Sequence, residues 1–245
     1  MTKPIIGITC PWSVETWEAR EDGGYYYVGQ PYVEAVYKYG GIPMLLVPEY
    51  TNESLDSYLA SLVDVVDGIL FSGGGDVRRK TDDKLPTLRN QQPVRYDFEE
   101  ALMRKAYEKK IPILGICRGF QMMVEGFGGD LAKETIKGHS QNISGSKPWH
   151  AIDIKKDSHL YKHIAREEWN VNSFHIQKVG SVPEGFIVSA KAKDDVIEGI
   201  ESKESQFLVG YQFHPEELQR SDEAAGNIFK WFLKEAGAKK VRTKI

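Results

Sequence analysis

The chain has 245 residues with a formal net charge of −3 and a pI near 6.1, a balance that argues against nucleic-acid or anionic-membrane partners, since both favour clustered positive charge. Two cysteines are too few for a disulfide framework, no apolar run reaches the length of a membrane span, and the N-terminus has no charged segment leading into a long apolar one. No Pro/Gly/Ser-rich linker divides the chain, so one α/β domain over residues 1–245 is expected, in a reducing cytoplasm.

Pro4 to Cys10 reads as a buried first strand. Trp12 to Gly29 is polar, aromatic and glycine-rich, with Tyr25, Tyr26 and Tyr27 near its end, and reads as a loop over one end of a sheet. Gln30 to Tyr39 fits a helix, with Pro31 suited to its first turn and Gly40-Gly41 to its stop. Ile42 to Val47 is a second strand. Asn52 then suits the N-cap of a helix whose Leu55, Leu59, Leu62, Val63 and Val66 share one face. A third strand, Gly68 to Phe71, runs into Ser72-Gly73-Gly74-Gly75-Asp76, where three glycines let the backbone approach a ligand closely. That loop lacks the residues of a P-loop and the spacing of a dinucleotide fingerprint, so it is read as a ligand loop without phosphate or as a plain turn. Arg78 to Pro93 is charged and irregular, and Tyr96 to Lys109 is helical, with Phe98, Leu102 and Ala106 on one face.

The next stretch organises the rest. An apolar β-type run from Ile111 ends at Cys117, and helical spacing follows as far as Gly128-Gly129. Gly115 and Gly119 flank the cysteine at i−2 and i+2, the spacing of a nucleophile elbow, where larger side chains collide with the neighbouring strand and helix. The helix N-terminus behind the sulfur favours a thiolate and offers free N–H groups to a developing oxyanion. An inert buried cysteine is the plain alternative. Strand–helix alternation up to this point predicts a parallel sheet with helices on both faces, binding ligands outside the carboxyl ends of its strands.

Beyond Gly129 shorter strand-like pieces, Ala151–Ile154, Phe186–Ala190, Val196–Ile200 and Phe207–Phe213, suggest an antiparallel extension. The last of them ends in His214-Pro215-Glu216, where proline stops the strand with the histidine at its tip. Glu216 is then able to hold one ring nitrogen of His214 while the other takes a proton from a cysteine. Ser221 is placed as cap of a final helix, Asp222–Glu235, with Ala225, Ile228, Phe229 and Phe232 facing the core. His139, His150, His159 and His163 fall in one region, but without a cysteine or acidic ligand pattern, so no metal is expected there. Trp149 and Trp169 are read as packing residues.

Gly115-Ile-Cys-Arg-Gly-Phe-Gln121 together with Gly210-Tyr-Gln-Phe-His-Pro-Glu216 resembles the class I glutamine amidotransferase superfamily. Ile6-Gly-Ile-Thr9, the Gly73-Gly74-Gly75-Asp76 loop and Val171-Asn-Ser-Phe-His-Ile-Gln177 are closest to its γ-glutamyl-γ-aminobutyrate hydrolase, or peptidase C26, group. The resemblance implies a three-layer, mostly parallel, flavodoxin-like sheet with a short antiparallel extension. It implies Cys117 as nucleophile, His214 as general acid/base and Glu216 as its orienter. The oxyanion hole would be the N–H of Arg118 with that of Gly74 or Gly75, and Gln121, Asn172, Ser173, Phe174, His175 and Gln177 would lie near the γ-glutamyl group. No cofactor or metal is implied; the partner is a small γ-glutamyl substrate, with a homodimer left open. Two departures stand out: the usual Arg-Asp pair reads Arg95-Tyr96, and Val77 to Lys84 lacks the usual proline and aromatic residues. The alternatives are a glutaminase chain that passes ammonia to a separate synthase, and a non-catalytic binding protein on the same fold.

Overall fold

A computed structural model describes residues 2–13, 24–51, 53–77 and 92–242, with side chains up to Ala238. Its strands in chain order are β1 (Ile5–Thr9), β2 (Trp12–Ser13), β3 (Tyr25–Tyr26), β4 (Ile42–Leu46), β5 (Gly68–Phe71), β6 (Ile113–Ile116), β7 (Asp130–Leu131), β8 (His150–Ile154), β9 (Glu168–Val171), β10 (Val179–Ser181), β11 (Phe186–Ala192), β12 (Ile197–Ser202) and β13 (Leu208–Tyr211). The helices are α1 (Gln30–Lys38), α2 (Leu55–Val65), α3 (Pro93–Glu108), α4 (Arg118–Gly126), α5 (His159–Ile164), α6 (Pro215–Leu218) and α7 (Glu223–Arg242). No described helix is long and apolar enough to cross a membrane.

Nine strands form one sheet in the order β4-β1-β5-β6-β13-β12-β11-β8-β9. The first five run parallel, and each of the last four is antiparallel to its neighbour. The central parallel strands are apolar because both faces are covered: β5, β6 and β13 are buried at every residue, whereas the edge strand β4 is partly exposed. One core lies under α1, α5 and α7, the other under α2, α3 and α4, which completes the three layers. Ala225, Ile228, Phe229 and Phe232 of α7 are all fully buried, as their spacing predicts.

Several expectations are corrected. The strand before the last helix, β13, is not part of the antiparallel extension: it pairs in parallel with β6 at the centre of the sheet. Its isolation in sequence from the other parallel strands hid this. The extension also gains β9, whose short run alternates buried and exposed residues. Helix α3 begins at Pro93, so Arg95 lies inside its first turn rather than ahead of it. Helix α7 is capped by Asp222, whose Oδ1 accepts the Ala224 N–H at 3.0 Å, while Ser221 Oγ donates instead to the Ser146 carbonyl. The two ends of the first loop pair as β2 and β3. Asn52, most of that loop and Arg78–Gln91 lie outside the described residues.

Candidate active site

Strand β6 delivers Cys117, whose backbone sits at φ 52°, ψ −103°. A non-glycine residue adopts such a conformation only where its surroundings impose it, at a cost of ~1–3 kcal/mol. The imposition comes from both directions. The Cys117 N–H donates to the Tyr211 carbonyl at 2.8 Å as a rung of the sheet, while its own carbonyl accepts the Gln121 N–H at 3.1 Å as the first bond of α4. One residue thus ends a strand and starts a helix. A Cβ on Gly115 would lie 2.7 Å from the Gly119 carbonyl oxygen, and one on Gly119 would overlap the carbonyl of Phe71. The two flanking glycines are therefore required by close approach, as the spacing suggested.

The second half of the site follows from β13. Gly210 lies beside Gly115 and Tyr211 beside Ile116, so the chain leaves both strands at the same edge. His214 precedes α6, and Pro215 turns the chain so that Glu216 Oε1 comes within 2.6 Å of His214 Nδ1. A Cβ on Gly73 would stand 3.0 Å from His214 Cε1 and 3.6 Å from Cys117 Cβ, so histidine and cysteine crowd the same spot. His214 Nε2 is buried without a hydrogen bond among the described residues. Burial opposes charge on this ring, but Glu216 and then Cys117 outweigh it and hold its pKa well above the ordinary value. An imidazole so placed is able to take a thiol proton and keep it beside a carboxylate.

Asn172 pins the backbone of His214 on both sides. Its Oδ1 accepts the His214 N–H at 2.7 Å, and its Nδ2 donates to the carbonyls of His214 at 3.0 Å and Gly145 at 2.6 Å. The glycine loop is pinned from below. Arg95, 1% exposed, donates to the carbonyls of Ser72 and Gly73 at 3.0 and 3.2 Å, and its Nε to Glu99 at 2.8 Å. Glu99 is fully buried, also accepts the Thr9 hydroxyl at 2.7 Å, and lies 3.3 Å from Arg118 Nη2. Burial lowers the Arg118 pKa to about 10. The Gly73 N–H donates to the Tyr32 hydroxyl at 2.9 Å.

The profile of the Peptidase C26 family matches residues 4–216, which takes in every element of this site. The chain belongs to that family. Among C26-like relatives, RP404 of Rickettsia prowazekii, a glutamine amidotransferase-like protein by its name, is 30% identical over 88% of this chain and 92% of its own length. One component of the glutamine-hydrolysing GMP synthase of Methanocaldococcus jannaschii is 27% identical over 86% of this chain and 95% of its own. A crystal structure from Thermoplasma acidophilum, described as a GMP synthase component, superposes with a TM-score of 0.65 over 99% of this chain and 98% of that one. Its 16% identity carries the fold alone: a mostly parallel central sheet flanked by helices, that of the class I glutamine amidotransferases.

Among the C26 residues predicted to line the pocket, Phe174 stands next to the site, its ring edge-on to His214 at 5.5 Å and 39% exposed. The others are engaged in the scaffold. Gln121 donates to Gln212, Ser173 Oγ to the His139 carbonyl, and Gln177 brackets the backbone of Val77. His175 points its Nε2 at Glu198, 3.3 Å away. The residue in place of the family's aspartate, Tyr96, donates to Glu125 at 2.8 Å, and Arg95 finds its carboxylate at Glu99, four residues on. Sequence reasoning missed Tyr32, whose hydroxyl touches the Gly73 N–H and lies 3.5 Å from His214 Nδ1. Its position two residues into a helix carried no signal. Of the four histidines read together, His159 and His163 stack on Trp231, while His139 and His150 converge elsewhere.

Proposed function

We propose that this C26 chain hydrolyses γ-glutamyl amide bonds through a thioester on Cys117. The observation that carries the reading is the elbow at Cys117 with a glutamate-bound His214 just beyond the end of the adjoining strand. Sγ attacks the δ-carbonyl carbon while its proton passes to His214 Nε2; Glu216 holds the ring and stabilises the imidazolium. The oxyanion is met by the N–H of Arg118 and that of Gly74 or Gly75. Collapse breaks the C–N bond, and the amine leaves with the proton from His214. Water then gives a proton to the same nitrogen and attacks the thioester, releasing glutamate and free Cys117. The test is incubation of the pure protein with a panel of γ-glutamyl amides and glutamine, reading released glutamate. Turnover of an amide of a larger amine in preference to glutamine is expected, with exposed Phe174 as one wall for that amine; no release from any member would refute the reading.

A second reading is a glutaminase chain feeding ammonia to a synthase, favoured by the likeness to the archaeal GMP synthase component. It requires a protein inert when isolated and active on glutamine once a partner is restored.

A further inference from the structure

Glu198 on β12 is fully buried, and its ion-pair partners among the described residues are three histidines. Oε1 lies 3.1 Å from His139 Nδ1, 3.3 Å from His175 Nε2 and 3.6 Å from His150 Nε2. The outer nitrogen of each ring faces a group that only accepts. His139 Nε2 is 3.1 Å from Asp194 Oδ2, His175 Nδ1 is 2.8 Å from the Gln177 carbonyl, and His150 Nδ1 is 3.4 Å from that of Ala151. In the neutral rings the protons therefore sit on the outside, and three inner lone pairs point at a carboxylate. None of those three nitrogens, nor either oxygen of Glu198, makes a hydrogen bond in the described structure. Lone pair against lone pair in a dry interior is repulsive unless a cation lies between.

We infer that His139, His150 and Glu198, with His175 as the fourth donor, form a zinc-binding site. Donor atoms of the first three lie within 4.8 Å of one another. A tetrahedron with bonds of about 2.0–2.1 Å has edges of about 3.3 Å, and the separations of 3.1, 3.3 and 3.6 Å around Oε1 bracket that value. The carboxylate is a hard donor that any of these cations accepts, and the three borderline imidazoles favour Zn²⁺ over Mn²⁺ or Mg²⁺. Protons fill the role poorly. One proton satisfies one contact, and a proton on every ring leaves an excess positive charge in a buried site. Asp194 behind His139 and the carbonyl behind His175 are the outer partners that orient a metal-binding imidazole. A surface cleft of about 220 Å³ lined by Gly138, His139, His150 and Asp194 gives an ion a way in.

With four protein donors the ion has a structural role. It ties β8 and β12 to the segment that carries His175, in which Asn172 pins His214 and Phe174 lies against its ring. The inference does not depend on the hydrolase reading.

The test uses tag-free protein dialysed against EDTA and then titrated by calorimetry with Zn²⁺ and, in parallel, Mn²⁺, with thermal unfolding measured at each end point. One Zn²⁺ per chain is expected, with much weaker Mn²⁺ binding and a Tm raised by about 5 °C or more at hundredfold excess over Kd. Co²⁺ should give the visible bands of a tetrahedral centre. His150→Ala, at the open edge of the cluster, should weaken Zn²⁺ more than about tenfold; if it does not fold, His175→Ala takes its place. Less than about 0.1 Zn²⁺ per chain, or stoichiometric binding untouched by both substitutions, overturns the site.

Discussion

Replacing Asn172 by alanine distinguishes a residue that touches substrate from one that positions the base. The substitution removes one accepted and two donated hydrogen bonds, leaving the N–H and carbonyl of His214 and the carbonyl of Gly145 without these partners. Each such group costs about 1–3 kcal/mol when buried and unsatisfied. Water entering the space left by the amide recovers part of that, so a net loss of about 2–4 kcal/mol is expected. For a chain of this size that lowers Tm by about 5–15 °C. The effect on turnover is separate. A shift of His214 by about 1 Å costs on the order of a hundredfold in rate, whereas the amide has no contact of its own to give the γ-glutamyl group. Steady-state glutamate release should therefore show kcat down about a hundredfold with KM changed less than about threefold. Asn172→Asp should fare worse than alanine in stability, because it sets a buried carboxylate against two carbonyl oxygens. A raised KM at unchanged kcat would refute the clamp and return Asn172 to the substrate pocket; unchanged kcat, KM and Tm would refute both roles.

A γ-diazoketone analogue of glutamine should label Cys117 and spare Cys10, whose thiol donates to the Leu46 carbonyl and whose pKa burial raises to about 11; mass spectrometry placing the label on Cys10 would reverse the assignment. His214→Ala should cost several orders of magnitude in turnover and Glu216→Gln clearly less, since only the ring moves protons; equal, full activity in both removes the mechanism. Asp222 offers a pH test of the fold. Burial would raise its pKa, but Arg166 and Trp169 outweigh that and hold it below the usual aspartate range. Its stabilisation is thus present at neutral pH and lost as pH falls through the depressed value. Asp222→Asn should lower Tm by a few degrees at neutral pH, from about 1 kcal/mol, and the gap should close in strong acid; a gap that persists unchanged at low pH refutes the charge as its cause.

Both halves of the site were legible in the sequence because each is local: a cysteine between two glycines, and a histidine stopped by proline with a glutamate two residues on. Their meeting was implied by the family resemblance alone, because it depends on β13 returning to lie beside β6, and nothing in an apolar run states its neighbour. The same limit explains the segment from Asn172 to Gln177. The family resemblance sets it beside the substrate, yet three of its six side chains bond backbone across the molecule: Asn172 to His214, Ser173 to His139 and Gln177 to Val77. His139 and His150 were read together, but their carboxylate was missed for the related reason that Glu198 lies far along the chain from both. Tyr32 joins the site from the opposite end of the sequence.

The β6–β13 ladder also sets the order in which this molecule can become reactive during folding. Gln121 at the start of α4 and Gln212 just past β13, 91 residues apart, hydrogen-bond beside the ladder, and the whole excursion from β7 to β12 lies between the two strands in sequence. Contacts of such separation carry a high loop-closure cost and form slowly. One of the two anchors of the strained turn at Cys117, the Tyr211 carbonyl that accepts its N–H, arrives only with β13. Thiol labelling of Cys117 in a refolding chain should therefore match that of an ordinary cysteine until the last parallel strand docks, so that a change in its labelling rate would time the closure of the sheet.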